Sequence, residues 1–269
     1  MTEKPQILIT NDDGISAPGI KHLFLALKDF AHISIVAPAL EQSGVGAAIT
    51  LRDPLHIIPV DWEGNVPAWK VTGTPADCVR LGMSVLKAKP DLIVSGINRG
   101  SNSGRNVLYS GTVGGVIEGV LRGVPGIAFS CSDFAAPNYK MAEEHVLSIV
   151  KHLLEHPMPK GTLLNVNFPE TEVIRGVKMA RQGMGYWMEN LEERIHPEGN
   201  TYYWMVGAWR ERGGHRPAQP AGMRSHHRPD LLRLCRRRQG RGARAPGLSA
   251  GGGNSLSASP ACLSHGEQF

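Results

Sequence analysis

Two adjacent carboxylates follow the first apolar segment of this chain. Residues Ile7–Thr10 are typical of a short buried strand, and Asn11-Asp12-Asp13-Gly14 comes directly after it. One interpretation is an Asx-type turn, because polar residues and glycine commonly end strands. The other is a cation site, because the repulsion between neighbouring aspartates is relieved when a cation binds. The pattern favours the cation site and leaves the turn open.

Two further oxygen-bearing side chains follow predicted strands later in the chain. Ser43 lies in a loop over 38–46, and Asn98 lies in a predicted loop of small and amide residues over 95–104. Ligands of open α/β sheets bind at the carboxyl ends of strands, so one crevice could hold Asp12, Asp13, Ser43 and Asn98. Two carboxylates, a hydroxyl and an amide oxygen suit one Mg²⁺ or Mn²⁺ ion. Two negative ligands neutralise a divalent ion without repelling a phosphate, which indicates phosphoryl chemistry.

A second candidate element is the tripeptide Ser110-Gly111-Thr112 at a predicted helix start. The free N–H groups and positive dipole end of a helix start favour anions, and glycine permits close approach. The tripeptide is therefore a candidate phosphate cradle, with an ordinary helix cap as the alternative. Asn102 is a candidate donor to a phosphate or ribose, with a structural role as its alternative.

Alternating strands and helices must position these loops. The spacing predicts helices over 20–27, from Thr74, over 113–121 and over 141–154, and it predicts an α/β fold with a mostly parallel sheet. Val177–Ala180 and Tyr202–Val206 are predicted to form a small antiparallel β extension. The other predicted strands are Ile33–Val36, Ile49–Leu51, Leu55–Val60, Trp69–Thr72, Asp91–Val94, Ile127–Cys131 and Leu163–Asn167.

The composition changes sharply after residue 206. Residues 207–269 carry eleven arginines against three acidic residues, a net charge of +8, which leaves −3 for residues 1–206 out of a total of +5. They contain no Val, Ile, Thr or Tyr, so most good strand formers are missing. We expect two parts, an α/β domain over 1–206 and a basic tail over 207–269 that is largely disordered.

The sequence argues against several other functional motifs and against insertion into a membrane. The chain contains no G-x-G-x-x-G fingerprint, no G-x-x-x-x-G-K-[ST] phosphate loop and no G-x-S-x-G elbow. Its four cysteines show no C-x-x-C spacing, and no apolar run reaches the roughly 18 residues that span a bilayer. We therefore expect a cytoplasmic protein that does not insert into membranes.

Over about residues 6–206 the chain resembles the survival protein E (SurE) family. The resemblance implies a Rossmann-like fold and a metal-dependent nucleotidase that hydrolyses nucleoside 5′- and 3′-monophosphates, with short polyphosphate as a further substrate and a homodimer or tetramer as the assembly. It rests on motifs in the family's order: Asn11-Asp12-Asp13-Gly14, Ala37-Pro38 with Ser43-Gly44, Gly73–Cys78, Ser95–Asn98 and Tyr109–Val113.

The same resemblance implies the roles of individual residues. The metal ligands are Asp12, Asp13, Ser43 and Asn98. Asp12 and Asp13 are both candidates for the base that takes a proton from the attacking water, and the sequence does not choose between them. We expect substrate contacts from Asn11, Gly44, Asn102, Ser110, Gly111 and Thr112.

The region after Gly207 departs from the family, in which a further strand and a closing helix follow. Loss of β-branched residues together with a gain of arginine is what out-of-frame reading of a GC-rich gene would produce. Our hypothesis for 207–269 is a frameshift or sequencing error, which we favour over a genuine lineage-specific tail. A competing hypothesis makes the protein a non-catalytic nucleotide or RNA binder, with Arg236-Arg237-Arg238 in a binding arm. The tail lacks interleaved aromatic residues for stacking, which argues against that role.

Overall fold

A seven-stranded sheet forms the centre of the structure, a computed structural model that describes residues 3–85, 89–171 and 173–210. The strands run in the order β3-β4-β2-β1-β5-β6-β7, with β3 antiparallel to β4 and all other neighbours parallel. The predicted mostly parallel sheet is therefore confirmed. The bounds are β1 Gln6–Thr10, β2 His32–Pro38, β3 Ile57–Pro59, β4 Ala68–Val71, β5 Leu92–Arg99, β6 Gly126–Cys131 and β7 Leu164–Phe168.

Helices cover both faces of this sheet. They are α1 Pro18–Leu27, α2 Pro75–Val85, α3 Gly111–Leu121 and α4 Tyr139–Glu155. Side chains alternate across a strand, so Ile7 and Ile9 of β1 enter the core formed with α1 and α4, whereas Leu8 enters the core formed with α2. Burial on both faces explains the continuous apolar runs Ile7–Ile9 in β1 and Leu92–Val94 in β5.

The direction in which successive strands are added to the sheet reverses at β1. The connection after β1 leads to β2 on one side, and β5 pairs with β1 on the other. At such a switch point the loops beyond the carboxyl ends of neighbouring strands diverge and leave a crevice. The loop over 11–14 therefore lies at the place where this fold binds ligands.

Helix α1 lies directly on β5, because Gly19 has no side chain. A Cβ at Gly19 would lie 1.9 Å from the main-chain oxygen of Ile97. This close approach joins the first helix to the strand that carries Asn98.

Two sequence predictions within the sheet are wrong. Ile49–Leu51 does not form a strand, because the Thr50 N–H and hydroxyl donate to the buried Asp77 carboxylate instead of a neighbouring strand. The strand predicted over 91–94 continues as β5 to Arg99, since pairing with β6 resumes at Asn98–Ser130 after a register shift. Asn98 therefore belongs to a strand and not to the predicted loop.

A separate two-stranded antiparallel sheet confirms the predicted β extension, but with a different first strand. β8 covers Tyr186–Ile195 and β9 covers Thr201–Arg210, whereas Val177–Ala180 contains only an isolated bridge residue. The glutamate-rich β8 has a weak strand signal of its own and is fixed by its pairing with β9. β9 also includes residues 207–210, which the sequence assigned to the tail. The remainder of that predicted tail, 211–269, lies outside the described residues.

Candidate functional site

The loop after β1 is held beside the loop after β2. Gly14 has a φ of +98°, and the Ile15 N–H donates to the Pro38 carbonyl at 2.8 Å. The Gln42 N–H donates to the Asp12 carbonyl at 2.7 Å. These main-chain bonds bring the aspartate pair and the loop that contains Ser43 to the same edge of the sheet.

Asp12 is buried against the start of α3. The Thr112 hydroxyl donates to Asp12 Oδ1 at 2.6 Å, and a Cβ at Gly111 would lie 2.7 Å from the Asp12 Cβ. Burial raises the pKa of Asp12, hydrogen bonds from Thr112 oppose that rise, and the charge of Glu41 adds to it. The predicted phosphate cradle therefore already contacts one acidic side chain.

Asp13 is half-buried and lies next to Asn98. The Arg99 main-chain N–H donates to Asp13 Oδ2 at 3.1 Å. Burial and then the negative charge of Asp12 raise the pKa of Asp13 to about 6. The ionised form of Asp13 is therefore disfavoured by its burial and by its acidic neighbour.

The other two predicted cation ligands differ in their placement. The Asn98 amide nitrogen donates to the Gly100 carbonyl at 2.8 Å, which leaves its amide oxygen as a donor atom for a cation. Ser43 is exposed, and its hydroxyl donates to Glu41 Oε1 at 2.6 Å. Hydrogen bonds of Asp12 and Asp13 therefore connect the carboxylate pair to the loop that contains Ser43 and to the strand that carries Asn98. The Ser43 side chain itself is hydrogen-bonded within its own loop.

Most of the predicted substrate-binding side chains already make contacts within the protein. The Ser110 hydroxyl accepts from the Val113 N–H at 3.1 Å, as an N-cap does. The Asn102 amide nitrogen donates to Thr112 and to Ser130. A Cβ at Gly44 would meet nothing within 4 Å, so open space lies beside that residue. Binding of substrate by these residues stays a prediction.

Asn11, like Thr10 and Ser95 next to it, has a buried oxygen without a hydrogen-bond partner. Its amide nitrogen donates to the Gly14 carbonyl at 2.8 Å, and its buried Oδ1 has no hydrogen-bond partner. A buried acceptor without a partner costs roughly 1–3 kcal/mol. A water or ligand group would remove that cost.

The residues fit one hard divalent cation. Asp12, Asp13, Ser43 and Asn98 offer oxygen atoms as ligands, and a bound cation would favour the ionised form of Asp13, whose pKa is raised by burial and then by the charge of Asp12. Within the described part of the chain there is no cluster of three or more His, Cys, Asp or Glu residues suited to a metal ion. A site for Mg²⁺ or Mn²⁺ therefore depends on the hydroxyl and the amide as well as the carboxylates.

Glu41 is a member of the site that sequence reasoning missed. It accepts the Ser43 hydroxyl, and its charge contributes to the raised pKa of both Asp12 and Asp13. The available signal was an acidic residue two positions before a predicted ligand.

Comparison with known proteins decides the family. The family model described as Survival protein SurE matches residues 7–189. The chain belongs to the SurE family. A curated relative from Protochlamydia amoebophila, named 5′-nucleotidase SurE, is 53% identical over 210 residues, covering 76% of this chain and 80% of the relative. A relative of the same name from Thermosipho africanus is 45% identical, covering 75% of this chain and 80% of the relative.

A solved SurE structure agrees with the fold. The crystal structure of the SurE protein from Aquifex aeolicus is similar with a TM-score of 0.67 and 40% identity, covering 76% of this chain and 82% of that one. Among the described residues of this SurE family member, no helix is long and apolar enough to cross a membrane. The competing RNA-arm hypothesis concerns residues outside the described part.

Proposed function

We propose that this SurE family member is a 5′-nucleotidase that hydrolyses nucleoside 5′-monophosphates to a nucleoside and phosphate. The main support is the meeting of Asp12 and Asp13, at the switch point of the sheet, with the segments that carry Asn98 and Ser43. The curated relatives named 5′-nucleotidase SurE support the same activity. The proposal extends to nucleoside 3′-monophosphates and short polyphosphate as further substrates.

The proposed reaction requires a divalent cation held by Asp12, Asp13, Ser43 and Asn98. When bound, Mg²⁺ or Mn²⁺ would polarise the phosphoryl oxygens and lower the pKa of a coordinated water. The two carboxylates together balance the charge of that ion. Asp12 is buried and fixed by Thr112, whereas Asp13 is half-buried and less constrained. Asp13 is therefore our candidate for the group that takes the proton from the attacking water.

The substrate phosphate is proposed to lie between the α3 start and the loop over 38–46. The N-terminus of α3 provides the positive end of a helix dipole, and the open space beside Gly44 gives room for a ligand. Asn11, Asn102, Ser110, Gly111 and Thr112 line the same edge of the sheet. Their part is to shape and orient this anion site.

Phosphate release by the full chain tests this function. We expect hydrolysis of AMP, GMP, CMP and UMP with Mg²⁺ or Mn²⁺, loss of hydrolysis with EDTA, and a loss of at least about 10²-fold in kcat for Asp12→Asn. Asp53→Asn changes an exposed carboxylate elsewhere and should retain full activity. Undiminished hydrolysis in Asp12→Asn, or in the presence of EDTA, would refute the proposal.

The assembly is proposed to be a homodimer or tetramer. The β8–β9 hairpin exposes apolar side chains that a second copy could cover, among them Leu191, Ile195, Trp204 and Met205. Light scattering coupled to size exclusion tests this, with a dimer or larger species expected. A monomer at micromolar concentration would contradict it.

A further inference from the structure

A chain of buried hydrogen bonds ends on the Asp12 carboxylate. The Asn102 amide nitrogen donates to the Thr112 hydroxyl at 3.1 Å, and the Thr112 hydroxyl donates to Asp12 Oδ1 at 2.6 Å. The same Asn102 nitrogen donates to the Ser130 hydroxyl at 2.8 Å. All four residues are buried, so water does not compete for these bonds.

The direction of these bonds is fixed by donor chemistry. An amide nitrogen has two protons and no acceptor site, so Asn102 uses both protons on Thr112 and Ser130. Thr112 has a single hydroxyl proton and accepts from Asn102. Its proton is therefore directed to Asp12 and is not available to a substrate phosphate.

Asn102 is itself held by two asparagines of β7. Asn167 Oδ1 accepts from the Asn102 main-chain N–H at 2.8 Å, and the Asn165 amide nitrogen donates to the Asn102 carbonyl at 2.7 Å. The Ser101 hydroxyl also donates to Asn167 Oδ1, at 3.0 Å. With both main-chain groups bound, the side chain of Asn102 has a fixed origin and a fixed direction. We call this series from Asn165 and Asn167 through Asn102 and Thr112 the asparagine relay.

The asparagine relay limits what Asp12 can offer to a cation. Oδ1 accepts a short hydrogen bond, and a Cβ at Gly111 would lie 3.0 Å from Oδ2, so the carboxylate is held closely against the start of α3. The bond from Thr112 uses one of the two lone pairs of Oδ1 and opposes rotation of the carboxylate, so we expect a cation to coordinate mainly through Oδ2.

We propose that the asparagine relay holds Asp12 as a monodentate ligand and thereby selects Mg²⁺ and Mn²⁺ over Ca²⁺. This inference rests on the proposed function, because it requires a cation at Asp12. Ca²⁺ takes 6–8 oxygens and readily accepts bidentate carboxylates, whereas Mg²⁺ requires near-octahedral geometry at about 2.0–2.1 Å. A carboxylate fixed through one oxygen favours the smaller ion.

Calorimetric titration of the full chain with MgCl₂, MnCl₂ and CaCl₂, without substrate, tests the asparagine relay. We expect Thr112→Val to lower the ratio of the Ca²⁺ Kd to the Mn²⁺ Kd by about tenfold or more, because Asp12 becomes free to bind through both oxygens. Thr112→Ser keeps the hydroxyl and should keep the ratio within about threefold of the unaltered protein.

A second pair of variants acts at a distance from the cation. Asn167→Leu removes the acceptor for Asn102 and should shift the ratio in the same direction as Thr112→Val, while Asn167→Asp keeps the acceptor and should preserve it. If Thr112→Val does not fold, the two Asn167 variants still show whether the asparagine relay sets the ratio of the Ca²⁺ Kd to the Mn²⁺ Kd. Thermal unfolding of the cation-free variants reports any general loss of stability.

The outcomes separate the two proposals. Equal weakening of all three cations with an unchanged ratio in Thr112→Val and Asn167→Leu would show a merely structural role and overturn the asparagine relay alone. Absence of cation binding by the unaltered chain would overturn both the relay and the proposed metal-dependent function.

Discussion

Neutralising Asp13 is expected to stabilise the cation-free protein. Burial and the charges of Asp12 and Glu41 raise the pKa of Asp13 from 3.8 to about 6, despite a hydrogen bond from the Arg99 N–H. Each pH unit between the folded and unfolded pKa corresponds to about 1.4 kcal/mol, so the ionised side chain costs at most about 3 kcal/mol of folding free energy. Because Asp13 is partly exposed, solvent screening reduces the expected cost to about 1–2 kcal/mol.

The direction of the pH dependence follows from the linkage between protonation of Asp13 and folding. A carboxyl whose folded pKa is raised binds its proton more tightly in the folded state, so its cost is absent below the unfolded pKa of 3.8 and complete above about 6. Asp13→Asn should therefore raise the Tm by about 2–8 °C at pH 8 in EDTA, and the gain should decline as the pH falls from 6 towards 4. With Mn²⁺ the order should reverse, because the cation stabilises only the protein that retains its ligands.

Differential scanning fluorimetry across pH 4–8, with and without MnCl₂, measures this effect. Asp53→Asn, at an exposed site, is the matched control and should show neither the gain nor the reversal. A lower Tm for Asp13→Asn at pH 8 in EDTA, or a gain that does not change with pH, would refute the expectation that burial and neighbouring negative charge make the ionised Asp13 side chain destabilising.

The remaining predictions concern close packing and buried hydrogen bonds. Gly111→Ala places a Cβ 2.7 Å from the Asp12 Cβ, so we expect at least about a tenfold loss of kcat/KM with Mn²⁺. Gly19→Ala places a Cβ 1.9 Å from the Ile97 carbonyl oxygen and should lower the free energy of unfolding by about 2 kcal/mol or more in urea titration. Asp77→Ala removes an acceptor for the Thr50 hydroxyl and the Thr74 N–H and should cost about 2–4 kcal/mol in the same assay; a loss below about 0.5 kcal/mol would contradict its structural role.

The sequence was sufficient to locate the two carboxylates. Asp12 and Asp13 follow an apolar strand and precede a glycine, and in a parallel sheet that pattern leads to the carboxyl edge. The helix start at Ser110 was also visible, because serine favours the N-cap position.

The parts that could not be predicted depend on contacts between distant segments. Asn102 is held by Asn165 and Asn167, 63 and 65 residues later in the chain, and nothing local to Asn102 indicates them. Likewise β5 continues to Arg99 only because β6 supplies partners beyond the register shift. A pairing strand, not its own sequence, also defines β8.

We propose that four oxygen donors from three segments surround a single divalent cation. Anomalous diffraction from crystals of the full chain grown with MnCl₂ tests it most directly. We predict one Mn²⁺ peak within about 2.0–2.3 Å of oxygens from Asp12, Asp13, Ser43 and Asn98. A peak that lacks the carboxylate pair, or one with Ser43 and Asn98 both outside the coordination sphere, would contradict the account.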